Sequence, residues 1–482
     1  MAKRVYLETM GCQMNKLDSE LVLGQLCQLG YLPVDDFRQA DLVLLNTCSV
    51  RQHAEDKVYS RLGEVARIKR KRPEMVVGVI GCMAERDHEG IQRKAPHVDL
   101  LCGPGNLNQI ADLLAEVRDT RQRAIALEHD RSRRTPKDRR TLEHDSIESL
   151  DLSRTAPPDG SVLQAYVRVQ RGCDKFCTYC VVPYTRGPER SRPPANIVEE
   201  ARKLADMGTR EITLLGQTVN SYSYAENGRT VRFADLLGRV HDVAGIERIR
   251  FVTSYPGDFT DDILQAMRDL PKVCEYLSLP AQSGSNAILR RMRRDYTAEQ
   301  YLELVDKARQ MVPGISLSSD FIVGFSGETE EDHQATLALI ERIGYKNIFM
   351  FKYSNRPNTK ADKVLPDDVP YEVKQRRHSE LMALQHRLSI EHHRAMIGRN
   401  AEVLVEGLSK PAVKARQAIE AGKARTPRRA DQLTGHTRGD EIVVFPGPDS
   451  LIGRLVTIKV TDASPLTLQG TPAEGPDVPP IR

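Results

Sequence analysis

The stretch RGCDKFCTYC, residues 171–180, places three cysteines in one short segment, separated by three and then two residues. It follows the run AYVRVQ, residues 165–170, whose alternating apolar positions predict a β-strand. Cys173, Cys177 and Cys180 therefore occupy the loop at the carboxyl end of that strand. An iron–sulfur cube takes four thiolates. Three from one loop would leave one iron open to a ligand, much as catalytic zinc keeps one position free.

Two other interpretations of the three cysteines are open on spacing alone. They could form a structural zinc site that borrows a distant histidine or Cys274, or they could be unrelated thiols. Structural zinc sites usually show paired C-x₂-C units, and the chain has no second pair. The spacing therefore favours a cluster with an open position.

Three zones of different periodicity predict three domains. From 1 to 116, short apolar runs alternate with amphipathic stretches, as in a doubly wound parallel α/β sheet. From 161 to 390, six strand-like runs alternate with helical ones, which predicts an incomplete TIM-type (βα)6 barrel. From 397 to 470, short β-rich runs between Gly, Pro and Asp predict a small antiparallel β-barrel. We expect a charged linker at 117–160 and a disordered, proline-rich tail at 471–482.

Three further cysteines each follow a predicted strand of the first zone. Cys12 follows VYLETMG, Cys48 follows LVLLNT and Cys82 follows VVGVIG. The carboxyl ends of parallel strands share one edge of a sheet, where doubly wound folds place their ligands. The three thiols could therefore meet around a second cluster, although three buried packing cysteines are the alternative. We interpret the remaining cysteines as packing residues: Cys27, Cys102 and Cys274.

Composition limits the class of protein. The chain has 482 residues, 40% of them apolar, and a formal net charge of +4. No apolar run approaches the roughly eighteen residues of a membrane helix, and the first residues read as a strand rather than a leader. Nine cysteines, an odd number, suit a reducing compartment. We therefore expect a soluble cytoplasmic protein with no membrane partner.

The residues around these cysteines carry a family resemblance. GCDKFCTYCVVPYTRGPERSR resembles the radical S-adenosylmethionine signature of the methylthiotransferases, most closely the MiaB-type branch that acts on tRNA. The blocks ETMGCQMN, NTCSVRQHAEDK and GVIGCMAE are similar to the N-terminal blocks of that family. LTGHTRGDEIVVF and LIGRLVTIKVTDAS resemble its RNA-binding TRAM domain. The resemblance covers nearly the whole chain except the linker, the tail and a basic insert at 410–429.

The resemblance implies two [4Fe-4S] clusters and S-adenosyl-L-methionine as cofactors. One cluster would generate a 5′-deoxyadenosyl radical, and the other would hold the sulfur that is transferred. A radical suits the reaction because no side-chain base readily ionises an aromatic C–H bond. The implied catalytic and metal-binding residues are Cys173, Cys177 and Cys180 for the first cluster and Cys12, Cys48 and Cys82 for the second.

Four further residues are assigned as contacts to S-adenosylmethionine from their positions near the ends of predicted strands. Gly216 and Gln217 follow the strand EITLL, where this superfamily approaches the amino group of the cofactor. Ser283 and Asp320 are expected at the ends of later strands. Ordinary turn chemistry is the alternative for each of these residues.

Arginines point to a nucleic acid substrate. We expect RNA contacts from Arg186 and Arg190 beside the signature, and from Arg356 in YSNRPNT. The tRNA-acting branch carries Arg-Pro in this motif, as Arg356 and Pro357 do, whereas a sister branch that modifies a ribosomal protein tends to be acidic there. Asn358 departs from the usual glycine but tolerates a left-handed backbone.

The predicted function is methylthiolation of C2 of N6-isopentenyladenosine next to the anticodon of tRNA. Alternatives are a related enzyme acting on threonylcarbamoyladenosine or on an aspartate of a ribosomal protein, and a non-catalytic RNA-binding iron–sulfur protein. Implied partners are the tRNA anticodon loop and an electron donor such as flavodoxin or ferredoxin. We expect a monomer.

Overall fold

The computed structural model describes residues 2–49, 52–128, 148–154, 162–421 and 431–473. These residues form two compact units. The first comprises 1–246 and 354–365, and the second comprises 247–353 and 366–482. No helix in the described ranges combines the length and apolar content needed to cross a bilayer.

The first unit begins with the predicted doubly wound sheet. Six parallel strands lie in the order β2-β1-β3-β4-β5-β6. The strands and helices of this part are β1 (Lys3–Met10), α1 (Gln13–Gln28), β2 (Tyr31–Pro33), β3 (Leu42–Thr47), α2 (Gln52–Lys69), β4 (Val76–Gly81), α3 (Cys82–Lys94), β5 (Leu100–Cys102), α4 (Ile110–Thr120) and β6 (Ala124–Ala126). Strands β3 and β4 are buried along their whole length, which explains why their sequences are mostly apolar, with Asn46 and Thr47 at the end of β3 as the polar exceptions.

After the sheet, the first unit continues into the first part of the central domain. Its elements are α5 (Glu148–Leu152), β7 (Gln164–Arg168), β8 (Gln170–Arg171), α6 (Val182–Thr185), β9 (Arg190–Ser191), α7 (Pro194–Asp206), β10 (Glu211–Leu215), β11 (Ser223–Glu226), β12 (Arg229–Arg232) and α8 (Phe233–His241). Strands β7 and β10 pair in parallel, as expected for successive strands of a (βα) series. Gly208 follows α7 with a φ of +93°, the left-handed position that ends a helix.

The second unit continues the alternation of strands and helices. It contains β13 (Arg248–Val252), α9 (Asp261–Asp269), β14 (Tyr276–Ser278), α10 (Asn286–Met292), α11 (Ala298–Met311), β15 (Ser316–Val323), α12 (Glu330–Ile343) and β16 (Asn347–Lys352). Strands β14, β15 and β16 form a parallel sheet. The chain then returns to the first unit for 354–365, which includes α13 (Lys360–Val364). All six strands predicted for the central domain are present.

The C-terminal part of the second unit is the predicted small barrel. A long helix, α14 (Tyr371–Arg394), leads into five strands that close in the order β17-β18-β19-β21-β20. They are β17 (Asn400–Leu408), β18 (Gln432–Thr437), β19 (Ile442–Pro446), β20 (Leu455–Ala463) and β21 (Leu468–Pro472). The basic insert begins with α15 (Lys410–Glu420), whose first turn is capped by Ser409. The disordered tail was predicted at 471–482, but Thr471 and Pro472 belong to β21. The residues from 474 onward and residues 422–430 lie outside the described residues.

The segment predicted as a linker, 117–160, differs from that expectation wherever the structure describes it. It contains the end of α4, the edge strand β6 and the helix α5. Charged side chains had suggested solvent exposure, but Asp151 of α5 is fully buried between two arginines. Its carboxylate forms ion pairs with Arg168 and Arg192. Residues 129–147 and 155–161 of this segment lie outside the described residues.

We expect Asp151→Asn to lower the free energy of unfolding by about 3–5 kcal/mol, because it leaves Arg168 and Arg192 buried without a shared counter-charge. Urea unfolding followed by circular dichroism measures the loss, since the chain has no tryptophan. Asp206→Asn is the matched control, because Asp206 is exposed at the end of α7 and should change stability by no more than about 0.5 kcal/mol. Equal midpoints for both variants would contradict the buried network.

Candidate active site

The register of the N-terminal sheet aligns three cysteines at one edge. Met10, the last residue of β1, lies beside Thr47, the last of β3, and Thr47 lies beside Gly81, the last of β4. Cys12, Cys48 and Cys82 follow these aligned ends by one or two residues. Strand order reverses between β1 and β3, so Cys12 and Cys48 flank the switch point where doubly wound sheets bind ligands, and Cys82 lies at the end of the next strand, β4. We call these three cysteines the N-terminal triad.

Local geometry holds the N-terminal triad in place. Cys12 occupies the N-cap position of α1, and the backbone N–H of Cys48 donates to Met10 O at 3.0 Å. Gly81, just before Cys82, has a φ of +92°, and a Cβ there would lie 2.7 Å from Thr47 O. Only glycine allows that approach, so the strand can turn directly into α3 with Cys82 as its first residue.

Buried polar residues support the same edge. Asn15 Nδ2 donates to Asn46 Oδ1 at 2.9 Å, and Asn46 Nδ2 donates to Asn15 O at 2.8 Å. Both asparagines are fully buried, and Asn15 Oδ1 also accepts from the Cys12 thiol at 3.3 Å. The sequence analysis missed them. A polar residue inside the apolar strand LVLLNT is the signal that could have identified Asn46, because buried amides need partners.

The surroundings of Cys12 and Cys82 shift the pKa values of these two thiols of the N-terminal triad in opposite directions. A hydrogen bond with Cys48 lowers the pKa of Cys12 most, burial opposes it, and the charge of Arg186 reinforces it. Burial raises the pKa of Cys82, and Arg186 counters this through its charge and as a hydrogen-bond donor. The Cys12 thiol is therefore the one predisposed to the thiolate that binds metal.

The second group of cysteines, which we call the loop triad, lies between β8 and α6. It consists of Cys173, Cys177 and Cys180, of which the first two are buried. The Cys173 N–H donates to Gly187 O at 3.1 Å, and the Cys180 N–H donates to Cys177 O at 3.0 Å. Burial raises the pKa of Cys173 to about 12, so iron must displace its proton on binding.

The glycine before the loop triad is required by its backbone. Gly172 has a φ of +79°, and a Cβ there would lie 1.9 Å from Pro188 O. Its N–H donates to Gln217 Oε1 at 2.6 Å, which ties the loop to the end of β10. Gln217 therefore fixes the backbone of the loop that carries the triad. Its contact with S-adenosylmethionine stays a prediction.

We expect Gly172→Ala to remove about four of about eight irons per chain, because the added methyl group displaces the Gly187–Pro188 backbone that lies against the loop triad. Gly208→Ala is the matched control. Its φ is also positive, but a Cβ there meets nothing within 4 Å, so it should cost only about 1 kcal/mol and leave the iron content unchanged. Iron analysis after anaerobic reconstitution checks both variants; an unchanged iron content in Gly172→Ala would be the contrary result.

The residues present fit iron–sulfur cubes. None of the six cysteines of the two triads forms a disulfide bond. In the described part of the chain, no three Cys, His, Asp or Glu side chains converge on a single metal ion. A cube binds each thiolate through a different iron.

The other predicted cofactor contacts are placed as follows. A Cβ on Gly216 would lie 3.0 Å from Val219 Cα, so local packing already accounts for this glycine. Ser283 accepts from the Ser285 N–H at 3.2 Å in a buried turn of the second unit. Asp320 is not at a strand end as predicted but inside β15, because β16 pairs with β15 as far as Val323.

Two of the three predicted RNA-binding arginines are buried instead. Arg186 is 4% exposed, and its Nη2 donates to Asp18 Oδ2 at 2.8 Å. Arg356 is 6% exposed, with Nη1 3.7 Å from Glu55 Oε1. Neither guanidinium is presented to a phosphate backbone, which corrects the prediction. Arg190 is partly exposed in β9, and its RNA contact stays a prediction.

Comparison with known proteins agrees with this architecture. Residues 4–103 match the family described as "Uncharacterized protein family UPF0004", residues 167–340 match the radical SAM superfamily, and residues 423–473 match the TRAM domain. A tRNA-2-methylthio-N(6)-dimethylallyladenosine synthase from Rhodopirellula baltica is 49% identical over 98% of this chain and 95% of the relative. The chain belongs to the tRNA-2-methylthio-N(6)-dimethylallyladenosine synthase family. A synthase of the same name from Thermoanaerobacter sp. is 42% identical over 96% of this chain and 92% of its own length.

Among solved structures, this synthase family member resembles the radical S-adenosylmethionine methyltransferase TsrM from Kitasatospora setae. The TM-score is 0.50 at 15% identity, over 75% of this chain and 77% of that chain. At this identity the similarity concerns the fold alone. It agrees with a sheet domain followed by a strand–helix series that carries the loop triad.

Proposed function

We propose that this protein is a radical S-adenosylmethionine methylthiotransferase that modifies C2 of N6-isopentenyladenosine next to the anticodon of tRNA. The observation that carries the proposal is the 49% identity, over nearly the full length, with a tRNA-2-methylthio-N(6)-dimethylallyladenosine synthase. The presence of both cysteine triads within one compact unit supports it further.

We assign the six cysteines by position. The loop triad would hold the [4Fe-4S] cluster that binds S-adenosylmethionine, and the N-terminal triad would hold a second [4Fe-4S] cluster. When bound, these groups supply the radical that removes the C2 hydrogen and the sulfur that replaces it. Each triad provides three thiolates for a cube that has four irons, so each leaves one position for a ligand.

One buried acceptor near the loop triad suits S-adenosylmethionine. Gln170 Oε1 is buried and has no hydrogen-bond partner among the described residues. It lies at the end of the strand that precedes the triad, close to Gly216. A buried amide oxygen without a donor is costly, and the ammonium group of the cofactor would satisfy it. Gly216 and Gln217 would then shape the same end of β7 and β10 through their backbone and loop contacts.

The protein's own contribution is to position the reacting groups and to exclude water. Helix α6 begins just after Cys180 and packs against α3, which begins at Cys82. The Arg186–Asp18 pair joins the end of α6 to α1, the helix capped by Cys12. Contacts of α6 with α3 and α1 therefore join the parts of the chain that carry the two triads.

The partners follow from the reaction. The closed β-barrel at the C-terminus matches the TRAM domain, and we propose that it binds the tRNA that carries the substrate base. A loop base spares the enzyme much of the cost of unpairing. We further propose that flavodoxin or ferredoxin supplies the electron. We also propose that the protein is a monomer and that it lies in the cytoplasm.

The deciding experiment is mass spectrometry of tRNA nucleosides from a strain that lacks this gene. The proposal predicts loss of 2-methylthio-N6-isopentenyladenosine and accumulation of N6-isopentenyladenosine, both reversed by the intact gene. Unchanged levels of the methylthio nucleoside, or loss of methylthiolated threonylcarbamoyladenosine in its place, would overturn the substrate assignment.

A further inference from the structure

A buried carboxylate of the sheet domain contacts the part of the chain that carries the loop triad. Asp18 lies in α1, the helix that Cys12 caps, and it is fully buried. Its Oδ2 accepts from Arg186 Nη2 at 2.8 Å, and its Oδ1 lies 3.9 Å from Arg168 Nη1. Arg168 ends β7, before the loop triad, and Arg186 directly follows α6, after it. Asp18 therefore contacts the chain on both sides of the loop triad.

The contacts continue from Asp18 into the elements around the loop triad. Arg168 is paired with Asp151 of α5, and Asp151 Oδ2 lies 3.5 Å from Arg192 Nε. Arg192 Nη1 also donates to Glu200 Oε2 of α7 at 2.7 Å. These five side chains are each at most 2% exposed. A continuous series of buried ion pairs thus joins α1 of the sheet domain to the first strand and helices of the central domain.

Positive and negative groups are balanced in this series, which we call the Asp18 network. Its guanidinium groups belong to Arg154, Arg168, Arg186 and Arg192, and its carboxylates belong to Asp18, Glu148, Asp151 and Glu200. A buried charge that loses its partner is strongly unfavourable. Each member of the Asp18 network therefore restricts where its partners can lie.

Ion pairs of this kind specify position more sharply than apolar contacts do. Charge-assisted hydrogen bonds are directional, whereas apolar side chains of suitable size pack in several arrangements of similar energy. Buried ion pairs can often be replaced by apolar residues without loss of stability. The benefit of the Asp18 network is therefore expected in the geometry of the protein rather than in its stability.

We infer that Asp18 is a positioning residue that fixes the loop triad relative to the N-terminal triad. The inference rests on the proposed function, since it requires a cluster on each triad and one substrate base that both clusters serve. In such a reaction a misplacement of about 1 Å can cost about 10²-fold in rate. The Asp18 network therefore couples radical formation at the loop triad to methylthiolation of the base.

The test compares Asp18→Asn with the parent chain after anaerobic reconstitution. We expect the same iron content and a similar rate of 5′-deoxyadenosine formation, because no cysteine is changed. Formation of the methylthio nucleoside should fall by about 10²-fold, because the two clusters no longer meet the base in the required geometry. Both products are quantified in one reaction with tRNA that carries N6-isopentenyladenosine, so the ratio of 5′-deoxyadenosine to methylthio nucleoside rises by the same factor.

A paired variant separates positioning from stability. Asp18→Leu combined with Arg186→Met replaces the ion pair by apolar side chains of similar size, an exchange that is often neutral for folding. Arg168 keeps Asp151 as its partner in this variant. We expect the midpoint of urea unfolding to stay close to that of the parent chain, whereas the product ratio rises as in Asp18→Asn.

Electron paramagnetic resonance supplies a measurement that does not depend on turnover. The magnetic interaction between two reduced clusters depends steeply on their separation, so it reports how firmly the two triads are placed. We expect the interaction seen in the parent chain to be changed in Asp18→Asn and in the paired variant, with the iron content unaltered.

Asp99→Asn is the matched control. Asp99 precedes β5 and is paired with Lys69 at the end of α2, so both partners belong to the sheet domain. Its carboxylate also accepts from the Val77 N–H at 2.8 Å. The variant loses a partly buried ion pair as Asp18→Asn loses a buried one, but it should keep the parental product ratio and the parental spectrum.

The remaining outcomes count against the inference in distinguishable ways. A parental product ratio and spectrum in the paired variant, or an equal rise of the ratio in Asp99→Asn, would overturn the inference and leave the proposed function intact. Absence of the methylthio nucleoside from the reaction of the parent chain itself would instead overturn the proposed function.

Discussion

We expect replacement of Cys177 by alanine to lower the formation of 5′-deoxyadenosine from S-adenosylmethionine by about 10³-fold or more. The loss is this large because the three thiolates of the loop triad act as a unit, and removing one member of such a unit disables the rest. Cys177 is buried in the loop between β8 and α6. The loop has no fourth cysteine that could take its place as a ligand. The measurement is anaerobic turnover with dithionite, with the nucleoside product quantified by liquid chromatography.

The control for this experiment is Cys274→Ala. Cys274 is also buried but lies in the second unit, outside both triads. Its replacement should cost stability through a small cavity and leave 5′-deoxyadenosine formation close to that of the parent protein. Formation of 5′-deoxyadenosine at the parental rate in Cys177→Ala would exclude the loop triad as the radical-generating site.

Replacing Cys48 by alanine should separate radical formation from methylthiolation of the tRNA. We expect 5′-deoxyadenosine to form at close to the parental rate, because the loop triad is intact, while the methylthio nucleoside falls by about 10³-fold or more. Cys48 follows β3, whose end is aligned with the ends of β1 and β4. Assaying both products in the same reaction with tRNA that carries N6-isopentenyladenosine gives the ratio directly.

Cys102→Ala is the matched control for Cys48→Ala. Cys102 ends the neighbouring strand β5 and is fully buried, but the sequence analysis excluded it from the triad. Both products should form at near-parental levels. Retention of methylthiolation in Cys48→Ala, or an equal loss in Cys102→Ala, would show that the N-terminal triad is assigned incorrectly.

Much of this architecture follows from local pattern. Apolar runs such as LVLLNT and VVGVIG predict buried parallel strands, and a cysteine directly after each strand places the thiols at one sheet edge. The observed register confirms that alignment. The loop triad is equally predictable, since its three cysteines lie within one short segment after a strand. These features depend on neighbours in sequence, which a pattern captures.

The burial of charged residues could not be predicted in the same way. Arg186 and Arg356 resemble surface arginines in sequence, because their carboxylate partners, Asp18 and Glu55, lie in distant segments. Asp151 was assigned to a charged linker for the same reason, although it lies between two arginines. A single sequence shows the charge of a residue but not the tertiary partner that makes its burial favourable.

Iron content of cysteine variants tests the central claim most directly. After anaerobic reconstitution, the parent chain should bind about eight irons, and each of two triple variants should bind about four. One variant has alanine at Cys12, Cys48 and Cys82, and the other has alanine at Cys173, Cys177 and Cys180. About four irons in the parent chain, or about eight in either triple variant, would contradict an enzyme built on two clusters with three thiolates each.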